Sequence, residues 1–194
     1  FEDIKIKQSI FPKSGILQVF VDKSLNYPAE YSIKYYKDIT KESIHEYPKI
    51  DLSEFIVNEC RNIEFNEAVS YMSSGDFRTE AIIQSFVDEI MADSDKIEEL
   101  KELSNNDNDT DENIITDLIS EEIYENIPTI QVTLGGYADF TQTDPRVYEK
   151  EKTTLIECLL KVDSCGDYEF YIGDSGILSV LISKEDLEQC KFEK

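Results

Sequence analysis

Two short apolar runs constrain the fold most. Ser14-Gly15 precedes ILQVFV at 16–21, and Ser175-Gly176 precedes ILSVLI at 177–182. Each run has the length of a strand and the β-branched content of one, and the Ser-Gly pair supplies the turn before it. Both run into polar residues at their far ends. The match, with its shared context, predicts two related β-rich units. In the second unit the preceding strand is 155–162, TLIECLLKV with its Thr154 lead-in. Its counterpart in the first would fall before Phe1, so the reading expects the natural chain to begin upstream.

What separates the units is different in kind. Residues 88–125 hold fifteen carboxylates against two lysines, a local charge of −13 within a net −23 for the whole chain. Residues 77–91 place Phe77, Ala81, Ile82, Phe86, Ile90 and Met91 near a helical period, which predicts an amphipathic helix packed on the core. Ser73-Ser74-Gly75-Asp76 is the breaker before it and can cap it. Residues 104–112, SNNDNDTDE, cannot build a core and read as a mobile acidic loop. Their Asp-x-Asn-x-Asp look is not a calcium loop: counted from Asp107, Glu112 stands where the central glycine belongs. A second helix follows at 113–127 and stops at Pro128. The 194 residues suit a single domain, and a hydrophobic content of 40% suits a core.

Beyond Pro128 the chain is β-like. Strands are expected at 129–133, 154–162, 168–172 and 177–182, with turns at 163–167 and 173–176 and a short helix over 184–189 capped by Ser183. Near the N-terminus, Tyr31, Tyr35 and Tyr36 lie in a further strand-like stretch at 31–36. Short strands or turns fit 50–54 and 63–65.

Charge excludes some functions. Nucleic acid requires clustered Lys and Arg against phosphates, and an anionic membrane surface requires the same. Forty-two acidic residues against nineteen basic ones argue against both. The aromatic residues beside Lys34 and Lys37 therefore read as a strand face, not a base-stacking platform. The acidity itself fits either a solvated surface or one made for a basic protein partner. No apolar run reaches membrane-spanning length. Cys60, Cys158, Cys165 and Cys190 match no zinc or redox spacing, and they read as reduced thiols of a cytoplasmic protein. His45 is the only histidine, so a site with several His ligands is excluded, and no metal or cofactor is expected.

The densest polar motif is residues 134–146, LGGYADFTQTDPR. Gly135-Gly136 lacks the Lys or GxGxxG setting of a phosphate loop, so these glycines, with Pro145, Gly173 and Gly176, read as conformational. Tyr137, Asp139, Gln142, Asp144, Arg146 and Asp174 are the candidate ligand-binding residues. With Asp163, these carboxylates could serve a two-carboxylate hydrolysis, with Arg146 holding an anion. The other reading has Asp144 and Asp174 capping turns and Arg146 pairing with a carboxylate to fix a loop.

This motif, with residues 15–21 and with 159–164, Gly173-Asp174-Ser175-Gly176 and Lys184-Glu185-Asp186-Leu187, resembles the YwqG-like family, a domain of unknown function (DUF1963). The resemblance spans most of the chain. It departs at Ala138, where the family usually has Pro, and at Tyr171, near where Trp is typical. On this resemblance the family's N-terminal portion is expected to be absent from the chain, and the 104–112 insertion is not a hallmark. The resemblance implies a mostly bacterial α+β protein with antiparallel or mixed β-sheets, a helical acidic insertion, and no established catalytic residue, substrate or cofactor. Family members can occur near toxin and immunity gene clusters. The leading expectation is a non-enzymatic protein-interaction module with a basic partner such as a toxin. The alternative is a hydrolase or small-ligand binder using the carboxylate and arginine cluster.

Overall fold

Ile16–Val21 forms β1 and Tyr31–Tyr36 forms β2, paired antiparallel with Ile16 opposite Tyr36 and Val21 opposite Tyr31. The structure is a computed structural model that describes residues 10–22, 30–38, 64–104, 109–125, 130–166 and 170–192. Residues 1–8, Tyr27, His45, 50–54, Cys60, Ile63, Pro128 and Tyr168 lie outside the described residues, as do 105–108 of the acidic stretch. The two-residue period of the strands separates their faces. Leu17, Val19, Ile33 and Tyr35 pack inward, whereas Ile16, Phe20 and Tyr36 stay exposed. Gly15 is required where β1 begins: its φ is +99°, and a Cβ there would meet the carbonyl of Tyr36.

The second sheet has the order β3-β4-β5, antiparallel throughout, with β3 at Val132–Thr133, β4 at Glu157–Asp163 and β5 at Ile177–Ile182. A bulge between Cys158 and Leu160 turns two successive side chains inward, Cys158 at 1% and Leu159 at 0% exposure. Leu159, Val180 and Ile182 meet Ile33 of β2 in one core, so the two sheets are packed together rather than separate. A short helix, α4 at Lys184–Glu188, closes that core with Leu187. Ser183 caps it, its Oγ accepting from Asp186 N at 3.1 Å. Phe192 then packs against Tyr35 with its ring tilted by 58°, ring centroids 5.1 Å apart.

Between the sheets come α1 at Thr79–Met91, α2 at Ser94–Leu103 and α3 at Asp111–Glu125, each touching the other two. The protein is thus an α+β fold with two antiparallel sheets and helices between them. No described helix is long and apolar enough to cross a membrane.

Several local expectations are corrected. The buried face of α1 is Thr79 and Val87, while Ile82, Phe86 and Met91 are exposed. The helix packs on its neighbours α3 and α2, and it buries a narrower and rotated stripe. The helix α2 was not anticipated, because its sequence is polar and it buries no residue. It is nucleated by Asp93, whose carboxylate accepts from Asp95 N and Lys96 N. Asp111 and Glu112 belong to the first turn of α3, where carboxylates favour the helix N-terminus, and not to a loop. The strand expected at 129–133 is reduced to two residues. Residues 170–172 are not a strand: Gly176 N donates to Ile172 O at 2.7 Å and closes a turn there.

Candidate functional site

Gly135 and Gly136 lead out of β3 with φ of +77° and +82°. Two successive left-handed residues reverse the chain and lay it against Ser70 and Ser73. A Cβ on Gly136 would collide with the Ser70 side chain, and Tyr137 N donates to Ser70 Oγ at 3.0 Å. The loop is tied to the sheet on its other side, where Ser179 Oγ donates to Asp139 O at 3.0 Å. It ends in a 3-10 turn at Pro145–Val147. Proline opens that turn, and Asp144 caps it by accepting from Arg146 N at 2.9 Å.

That cap is half of a larger construction. Asp144-Pro145-Arg146 and Asp76-Phe77-Arg78 are both Asp-x-Arg turns, and they are built alike. In each, the aspartate Oδ1 accepts from the backbone N–H of its own arginine, at 2.9 and 3.0 Å, and takes the guanidinium Nε as well. The two turns then interlock. Arg146 Nη2 donates to Asp76 Oδ2 at 2.9 Å, and Phe77 N donates to Asp144 Oδ2 at 2.9 Å. Arg146 Nη1 reaches Leu155 O at 2.9 Å. Its guanidinium lies 4.6 Å from the Phe77 ring centroid and 5.3 Å from that of Phe140. The side chains of Arg146, Asp144 and Asp76 are wholly buried, and Arg78 covers Asp76 from the solvent side at 2.7 Å.

Two aspartates and two arginines sum to zero, so the three buried charges and the partly exposed Arg78 balance. Burial pushes the Asp76 carboxyl up, but the hydrogen bonds from Arg78 and the charges of Arg146 and Arg78 outweigh it and hold the group below its ordinary range. Arg78 is raised in turn, first by its hydrogen bond to Asp76. Every oxygen of the two carboxylates has at least one donor.

Next to this lock the loop borders a concavity of about 140 Å³. Thr133 of β3 and Lys161 and Asp163 of β4 line it from the sheet, Tyr137 and Asp139 from the loop, and Ser70 from the segment opposite. The candidate residues named from the sequence therefore divide. Tyr137 and Asp139 border the concavity. Gln142 is exposed on the loop beyond it. Asp144 and Arg146 are buried and paired with each other. Asp174 is exposed in the turn that follows Gly173, whose φ is +55°. Asp163 is buried, its Oδ1 accepting from Cys165 N at 2.7 Å.

The sequence reading missed Asp76, Phe77 and Arg78, having taken Asp76 for part of a helix breaker. A signal was present: Asp-x-Arg occurs at both 76–78 and 144–146. Among the described residues no group of three or more His, Cys, Asp or Glu could hold a metal ion. A family model described as "Domain of unknown function (DUF1963)" matches residues 1–194. No curated protein matches the chain.

Proposed function

The chain belongs to the DUF1963 family, and we propose that it is a non-enzymatic protein-interaction module whose acidic helices receive a basic protein partner. One observation carries this reading: Ile82 and Phe86, one turn apart on α1, are 41% and 49% exposed on an acidic helical layer. Residues 88–125 contribute only Lys96 and Lys101 as cations, and both are engaged within that layer, with Asp93 at 3.9 Å and Asp111 at 2.7 Å. Glu98, Glu99, Glu102, Asp117 and Glu121 lie exposed on the same helices and give the layer its negative charge. Apolar side chains ringed by one sign of charge suit a partner carrying Lys or Arg around an apolar anchor, and the charge steers its approach.

Pull-down from the native cell with the wild-type chain and with Phe86→Ser, at low and high salt, tests this. A specific partner that is basic, lost at high salt and weakened by Phe86→Ser is the expected result. Recovery of none at low salt would defeat the reading.

The resemblance and the free thiols of Cys158, Cys165 and Cys190 support a bacterial, cytoplasmic setting. The Ser-Gly lead-ins to β1 and β5 support an origin of the two sheets in related units. The lead-ins are realised differently, with the left-handed residue at Gly15 in one and at Ser175 in the other.

A further inference from the structure

The helices α1, α2 and α3 pack on one another and are tied to one another. Gln84 Nε2 of α1 donates to Glu112 Oε1 of α3 at 3.2 Å, and Lys101 of α2 pairs with Asp111 of α3 at 2.7 Å. The core that joins the two sheets is built from Ile33, Leu159, Val180, Ile182, Leu187 and Phe192. Among the described residues it takes no side chain from these three helices. Their own buried apolar residues, among those described, are Val87, Ile114 and Ile115, and α2 buries none. Two bodies with separate apolar interiors are thus joined where Asp76 and Phe77, at the entrance of α1, meet Arg146 and Asp144.

The energetics of the two bodies differ. Local stability follows buried apolar contact, and the helical body has little of it. Its join to the core is ionic, and the charges of a buried ion pair regain their hydration when it opens. Charge also works against closure. Residues 88–125 carry fifteen carboxylates and two lysines, and like charges held close repel. Both lysines sit in exposed pairs, which offset little of that repulsion. We propose that α1, α2 and α3 open from the β core as one unit, with the Asp76–Arg146 contact as its latch, and that ionic strength sets how often they open. Salt screens the exposed carboxylates but hardly reaches the buried latch, so salt closes the unit. A layer held by surface ion pairs would respond with the opposite sign. The inference does not rest on the interaction reading.

Native-state hydrogen exchange of the full chain tests this, read as protection factors. It is run in about 0.01 M and about 0.15 M sodium chloride, between which the screening length falls from about 30 Å to about 8 Å. In wild type the most protected amides of α1, α2 and α3 share one protection factor, about tenfold or more below that of β4 and β5. The higher salt raises the helix value about threefold or more. Asp76→Asn lowers it about tenfold or more, because the latch loses a charged partner. Val180→Ala, in the core that stays closed when the helices open, lowers the strand value about tenfold and leaves the helix value unchanged. Equal protection of helices and strands in wild type overturns the proposal. So does a helix value that stays or falls with salt, one unaltered by Asp76→Asn, or one that falls with the strands in Val180→Ala. The wild-type and salt comparisons stand whether or not the variants fold.

Discussion

Arg146 and Asp76 are seventy positions apart in sequence and 2.9 Å apart in space. Their contact joins the entrance of the helical layer to the loop that leaves β3, and it does so with no solvent exposure of either side chain. Asp144 lies between them in function, holding Arg146 through its carboxylate and Phe77 through the backbone N–H. The helices are therefore fixed to the β core by a charge-balanced lock. The loop's glycines, proline and aspartate are the local means of presenting Arg146 to it.

Arg146→Met leaves the buried Asp144 carboxylate without a cation and removes one of the two that serve Asp76, and should cost about 3–5 kcal/mol, read from urea unfolding at neutral pH. Arg146→Lys keeps the charge but not the planar fork that serves Asp144, Asp76 and the Leu155 carbonyl together, so it should recover only a minor part. A lysine variant as stable as wild type would mean that charge alone, and not geometry, holds the lock.

Acid should loosen the same lock. The Asp76 carboxyl titrates lower in the folded protein than in the unfolded chain. A depressed carboxyl contributes stability above its unfolded pKa, about 4, and that contribution is lost as pH falls through the folded value. Wild type should therefore exceed Asp76→Asn in urea midpoint at neutral pH, and the gap should narrow below about pH 4. A gap constant down to pH 2 would contradict the ionised role of Asp76.

Gly136→Ala should destabilise by about 1–3 kcal/mol through its positive φ and the collision with Ser70. In Ser70→Gly/Gly136→Ala the collision is gone and the φ strain remains, so the double variant should lose less than the two single changes combined. Strict additivity in urea unfolding would argue that the loop does not press on Ser70.

Cysteine reactivity should split by position. Burial pushes the Cys158 thiol up to about 12, while Cys165 and Cys190 are exposed. Iodoacetamide at about pH 8 should alkylate Cys165 and Cys190 in the folded protein and Cys158 only after denaturation, as site-resolved mass spectrometry would show. Prompt alkylation of Cys158 would place it outside the core.

The sequence by itself determined the strands whose runs are apolar but for one residue. Residues 16–21 and 177–182 fold as expected, because mostly apolar, largely β-branched runs entered through Ser-Gly turns have few other places to go, although only Val180 and Ile182 among them are buried outright. It determined the family through residues 134–146, and it located the Ser183 cap from local chemistry alone. Elements whose signal is weak or shared were misread. The polar α2 is set by a cap and by packing on α1 and α3, and Ile82 and Phe86 fit a buried period yet stay outside. Only the tertiary structure decided which carboxylate Arg146 meets, because an ion pair across seventy residues leaves no periodicity to read. It also decided that Asp144 and Arg146 lie inside while Asp139 and Tyr137 border open space. Within one polar loop, burial depends on what the rest of the chain lays against it, here Asp76 and Phe77 on one side and Lys161 on the other.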